Sequence, residues 1–166
     1  SLHDALPISN SRDASTTLDE NDYIATMALM PDASIAQLER LMFIVDPATY
    51  RATLTIPTLK TRDVFVDPTI EQGRIMNIWG INVFQSGFMY KANSAGKVPA
   101  AGGTLGRILC VRPDQWAVRW KRRIQVDVTY YPRNDYTEVT THMRWGMAYR
   151  DNEASAVSYN VNVALQ

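Results

Sequence analysis

Few side chains in this sequence carry the chemistry of an active site, and their settings assign most of them to structure. The 166 residues include one cysteine, Cys110, and two histidines, His3 and His142. A lone cysteine excludes an internal disulfide and a cysteine-based zinc cluster. Two histidines leave little for a metal site or a triad. His142 sits on polar positions with Glu138 and Arg144. A catalytic base needs a nucleophile or substrate partner and a shaped pocket, and none can be named beside it. It reads as an exposed strand histidine. Cys110 lies in Ile108-Leu109-Cys110-Val111, flanked by Arg107 and Arg112. A low-pKa nucleophile beside cations is one reading, and a small buried hydrophobe is the favoured one. Asp46 and Asp67 precede prolines and Asp63 flanks a short apolar run, where capping and turn roles suffice. The glycines after Gly96 lack the spacing of a phosphate-binding loop. No catalytic, cofactor-binding or metal-ligating residue is assigned. The chain is read as a non-enzyme with no cofactor and no small-molecule substrate.

One dense basic cluster remains: Arg119, Lys121, Arg122 and Arg123, with Trp116 and Trp120 interleaved. Aromatics beside cations are what single-strand binders use. Here, however, the tryptophans share the parity of Ile124 and Val126, opposite Arg119, Lys121 and Arg123. A core face backed by a charged face accounts for the pattern without a ligand. Seventeen Lys and Arg balance seventeen Asp and Glu, which also argues against a dedicated nucleic-acid binder.

The elements that position these residues follow from periodicity. Asp22 to Met30 has room for one or two helical turns before Pro31. Asp32 or Ser34 can cap a helix carrying Ile35, Leu38, Leu41 and Met42. Phe43-Ile44-Val45 is a short buried strand, and Asp46-Pro47 opens a helix that runs to about Leu54. Val64-Phe65-Val66 is a further apolar run, and two short strands flank Trp79-Gly80. Lys91 to Gly103, rich in glycine and small residues, reads as a linker and as the main boundary.

From Trp116 to Tyr130, apolar and polar residues alternate over fifteen positions, Arg122 being the one defect on the apolar face. At about 3.3 Å per residue that strand reaches roughly 50 Å. Tyr131-Pro132-Arg133-Asn134-Asp135 supplies a turn. Val139, Met143, Trp145, Met147 and Tyr149 alternate back, and Val157, Tyr159, Val161 and Val163 mark a last strand. Such strands need something to cover their apolar face: the first segment, a partner, or a further part of the protein. The longest apolar run, Leu41 to Val45, is far short of a membrane span, so no membrane partner is expected. The expected class is α+β. It has an unpatterned tail over 1–21, a mixed α/β domain over 22–103 and an antiparallel strand region over 104–166. Ser1 to Ser9 lacks the features of a signal peptide and resembles the conceptual translation of a sequencing adapter. The tail is accordingly expected to be foreign or disordered.

The run Phe43-Ile44-Val45-Asp46-Pro47-Ala48-Thr49-Tyr50, with Gly73-Arg74-Ile75-Met76-Asn77-Ile78-Trp79-Gly80-Ile81-Asn82-Val83, resembles the apical domain of tailed-phage major capsid proteins. Gly106 to Asp127, and Arg144 to Tyr149 with Ala154 to Val163, are similar to the strands of that family's peripheral domain. The resemblance covers about residues 32 to 163. It implies a phage-capsid-like fold lacking its N-terminal arm, extended loop and spine helix, as in an N-terminally truncated chain. It also implies a structural role, self-assembly with other copies into the hexamers and pentamers of an icosahedral shell around a genome. Packaged DNA or a scaffold on the inner face, and a virion assembled in the host cytoplasm, go with that reading. The alternatives are the shell protein of an encapsulating nanocompartment and, from another class, a β-rich nucleic-acid-binding module. The lysine-bearing loop of crosslinking members is missing, so no isopeptide is assigned to Asn160 or Asn162.

Overall fold

The Asp46-Pro47 pair does what its residue types dictate: it ends a strand and starts a helix. A computed structural model of the chain describes residues 10–60, 70–71, 74–75, 77–100, 102–151 and 153–163. Its first elements are β1 (Asn10–Asp13), α1 (Glu20–Met27), α2 (Asp32–Ile35), β2 (Met42–Val45), α3 (Pro47–Thr53) and α4 (Pro57–Lys60). Then come β3 (Ile70–Glu71), β4 (Arg74–Ile75), β5 (Asn77–Ile78), β6 (Ile81–Gln85) and β7 (Gly106–Val111). The chain closes with β8 (Trp116–Tyr131), β9 (Tyr136–Tyr149) and β10 (Ser155–Val161). It divides into two units, Ser1–Asp114 with Asp151–Gln166, and Gln115–Arg150.

The first unit is built on a six-stranded mixed sheet in the order β1-β10-β7-β2-β6-β5. β1 runs parallel to β10 and β2 parallel to β6, while β7 is antiparallel to both β10 and β2. The core gathers Phe43 and Val45 of β2, Ile108 and Cys110 of β7, Ala156 and Val161 of β10, and Tyr23 of α1. The Tyr23 and Phe43 rings meet edge to face at 5.2 Å. That geometry suits the ring quadrupoles and adds to the area they bury. β5 and β6 join through Trp79-Gly80, both at positive φ (56° and 78°), the turn that matches strand twist in a two-residue hairpin.

Several expectations are corrected here. Residues 10–21 are not a tail, because β1 pairs with β10, Ala14 and Leu18 are buried, and Asp19 caps α1. This polar edge strand is held by backbone pairing and by the Arg12–Asp22 and Asn160–Asp13 side-chain contacts and has no apolar pattern, so composition did not reveal it. Residues 1–9 lie outside the described residues, as do Val64-Phe65-Val66. Ile35 to Met42 is not one helix, since α2 is a single turn with Pro31 at its N-cap and no side-chain cap. Leu38–Arg40 forms a 3₁₀ turn and Met42 already belongs to β2.

Lys91 to Gly103 is not a boundary. Ala92 bridges to Leu105, and the Asn93 side chain accepts from Ala95 and Lys97. The units divide at 114/115 and 150/151, because β7 and β10 pair within the first sheet rather than with the long strands. The expected one-sided last strand also fails. Ser158 is fully buried, where its hydroxyl accepts from Thr26 at 2.8 Å. A register shift after Ser158, with Asn160 at φ 60°, brings Val161 into the core as well. A bulge of this kind inverts parity partway along a strand.

Candidate assembly surface

Among the described residues no group of three or more His, Cys, Asp or Glu side chains is placed to hold a metal. No described helix is long and apolar enough to cross a membrane. Each candidate residue has a structural setting. Cys110 is fully buried in β7, and desolvation pushes its thiol up to about 12, so it stays a neutral packing group. Its apolar setting, and not the flanking arginines, decides its chemistry.

Asp46 is 1% exposed and caps α3. Its carboxylate accepts from the Ala48 and Thr49 amides at 3.1 and 3.2 Å, from the Thr49 hydroxyl, and from the Arg107 amide at 3.3 Å. Thr53 continues this network by bonding the Thr49 carbonyl and, at 2.6 Å, the Tyr23 hydroxyl. Burial holds the Tyr23 phenol well above its usual range. Arg107 is likewise lowered by burial, the nearby Asp46 charge opposing that shift. The network ties α1, α3 and β7 together and is closed to substrate. Asp63 and Asp67 lie outside the described residues.

The second unit is the antiparallel hairpin of β8 and β9. Its register runs from Trp116 opposite Tyr149 to Tyr131 opposite Tyr136. Two register shifts flank Arg122, each adding one residue to β8. Two such insertions restore parity, so the alternation survives them. Opposite residues share a face. One face therefore carries Trp116, Val118, Trp120, Val126, Val128 and Tyr130 with Tyr149, Met147, Trp145, Met143 and Val139 opposite or between them. Trp120 lies across from Trp145, the ring centroids 6.3 Å apart, and Trp116 meets Tyr149 edge-on at 5.8 Å. The face is open: Trp120 and Trp145 are each 51% exposed, Ile124 66% and Val128 65%. The cover that this apolar side needs is incomplete, with Trp116 alone of its β8 residues half-buried.

The other face carries the cations. Arg119 faces Gly146, and Arg122 faces Arg144. Lys121, Arg122, His142, Met143 and Arg144 line one recess. His142 is half exposed, and its Nε2 lies 3.9 Å from Asp127. Arg144 was not legible as a member of the basic cluster. Counting back from the Tyr131–Tyr136 end places Trp145 opposite Arg122, and only the shifts bring Arg144 there. The stacked pair Tyr131–Tyr136, 4.8 Å between centroids, closes this face at the turn.

The hairpin leaves a contiguous aromatic and aliphatic face uncovered, a patch of the kind that soluble monomers rarely tolerate. No family model matches the sequence and no curated protein matches it. The fold has solved counterparts. A chain of Mycobacterium phage Che8 matches with a TM-score of 0.59 at 12% identity, covering 90% of this chain and 52% of that one. A chain of the bacteriophage PhiM1 mature capsid matches at 0.59 and 11% identity, covering 90% and 49%. The SrpI encapsulin of Synechococcus elongatus PCC 7942 matches at 0.58 and 13% identity, covering 93% and 53%. The chain spans about half the length of these structures, and at such identities the likeness is one of architecture: its mixed α/β structure is capsid-like.

Proposed function

We propose that this chain is a structural, shell-forming subunit of a phage-type capsid, acting by self-assembly and not by catalysis. The observation that carries the reading is the open apolar face of the β8–β9 hairpin within a capsid-like fold. Soluble monomers rarely leave such a contiguous patch uncovered, whereas a subunit built for extended contacts needs one. In this reading the sheet unit corresponds to the apical domain and the hairpin to strands of the peripheral domain. The chain is then an N-terminally truncated subunit whose other segments and neighbouring copies supply the cover. Its partners are further copies in hexamers and pentamers, its place is the virion shell, and DNA or a scaffold lies on the inner side.

The nanocompartment-shell reading has the same architecture behind it, since the encapsulin match is as good as those to the phage chains. The nucleic-acid module is disfavoured, because the chain has no net positive charge with which to hold a polyanion.

Sedimentation velocity and electron microscopy of the purified chain test the proposal. Concentration-dependent assembly into large, curved or closed particles is expected. A clean monomer at all accessible concentrations overturns it.

A further inference from the structure

We propose that the cationic face of the hairpin docks on the carboxylates at the β1–α1 connection of a second copy of this chain. The inference rests on the self-assembly reading and names the two surfaces that meet. The chain is neutral only in sum. Residues 115–150 hold seven Lys and Arg against three Asp and Glu, and the remaining residues hold ten against fourteen, so the two units carry four charges each, of opposite sign.

Within the hairpin the charge is concentrated at the register shifts, where Arg122 and Arg144 are cross-strand neighbours and Lys121 shares their recess. Like charges placed directly opposite destabilise a strand pair. Among the described residues, Arg119, Lys121, Arg122, Arg123 and Arg144 have no carboxylate within ion-pair distance, and Asp127 lies 3.9 Å from the His142 imidazole instead. Within the hairpin the cluster therefore has no counter-charge among the described residues.

The matching feature lies on the sheet unit. Asp13, Asp19 and Glu20 fall within eight residues at the junction of β1 and α1, with Asp13 and Asp19 exposed and Glu20 half-buried. None of the three pairs with a described cation. Asp13 accepts from Ser15 and Asn160, and Asp19 accepts from the Glu20 amide and from Asn21. These bonds hold both carboxyls below the usual range, and therefore charged. β1 is also the edge strand of its sheet, so the site lies where a second molecule can reach it.

Repeated in one direction from copy to copy, such a contact is heterologous, the type that propagates head to tail into rings. Overall neutrality favours a second copy over a nucleic acid as the anionic partner, because each copy supplies both charges.

The test is a charge swap in the full chain, read by sedimentation velocity at low salt. Lys121→Glu with Arg144→Glu reverses the hairpin, and Asp13→Lys with Glu20→Lys reverses the junction. Each double variant alone is expected to associate roughly tenfold or more weakly, and an equimolar mixture is expected to recover, since one variant's hairpin then meets the other's junction. Wild-type association should weaken as salt rises. Asp13→Asn with Glu20→Gln keeps the hydrogen-bonding atoms. It should weaken association with an unchanged melting temperature, which separates lost charge from lost fold. A mixture no better than its components overturns the proposal, as does association indifferent to salt. If the hairpin variant instead loses single-stranded DNA binding with no rescue in the mixture, the anion is nucleic acid and the proposal falls. If both charge variants associate normally, this contact is wrong and the shell reading stands. A monomeric wild type removes both.

Discussion

Replacing Trp120 and Trp145 together by serine probes the apolar face where it is richest. The two rings are cross-strand partners and each keeps 51% of its surface exposed. A tryptophan side chain offers about 200 Å², so covering each ring removes about 100 Å² more from water. At about 25 cal/mol per Å² that is about 2.5 kcal/mol per ring. Ordering the side chains at an interface costs about 0.5–1.5 kcal/mol each, which leaves about 3 kcal/mol for the pair. A tenfold change corresponds to about 1.4 kcal/mol, so the double variant should weaken association by about two orders of magnitude. The hairpin itself loses only the pair's mutual contact, about 0.5–1.5 kcal/mol. Sedimentation equilibrium gives the association constant, and urea unfolding monitored by circular dichroism gives the stability. Thr129→Ala, on the other face, serves as the control and should leave association unchanged. A double variant that associates as tightly as the wild type would refute the assignment of this face to assembly.

Asp46→Ala should destabilise the sheet unit by about 3 kcal/mol in urea unfolding, combining a lost helix cap with buried donors left unpaired. Asp46→Asn keeps one acceptor oxygen and should cost less than half as much, so an asparagine variant as unstable as the alanine one would contradict the four-donor description. Gly106→Ala places a methyl 2.2 Å from the Thr49 hydroxyl and 2.5 Å from Val163. It should lower the melting temperature markedly, whereas Gly146→Ala on the open hairpin, with nothing within 4 Å, should not. Burial raises the Cys110 thiol from its ordinary value, about 9, to about 12. Its contribution to stability is thus fully present below about pH 9 and is lost as pH rises from there through about 12. Alkylation at moderately alkaline pH should proceed no faster than unfolding, and rapid labelling of the native chain would place the thiol outside the core.

What the sequence determined by itself was local. The Asp46-Pro47 start of α3, the turn at Trp79-Gly80 and the two-faced alternation of β8 and β9 rest on capping, φ preference and a period of two. Those signals act over a few residues and need no partner. The tertiary structure decided which strands belong together. β10 carries the same alternating signal as the hairpin, yet it pairs with β7 and β1, because alternation specifies a face and not a neighbour. It also decided the parity reversal at Asn160, the entry of polar Asn10–Asp13 into a sheet, and the meeting of Arg122 with Arg144 across two register shifts. Each of these depends on one residue more or fewer between distant points of the chain, a quantity that side-chain chemistry does not encode locally and that packing alone fixes.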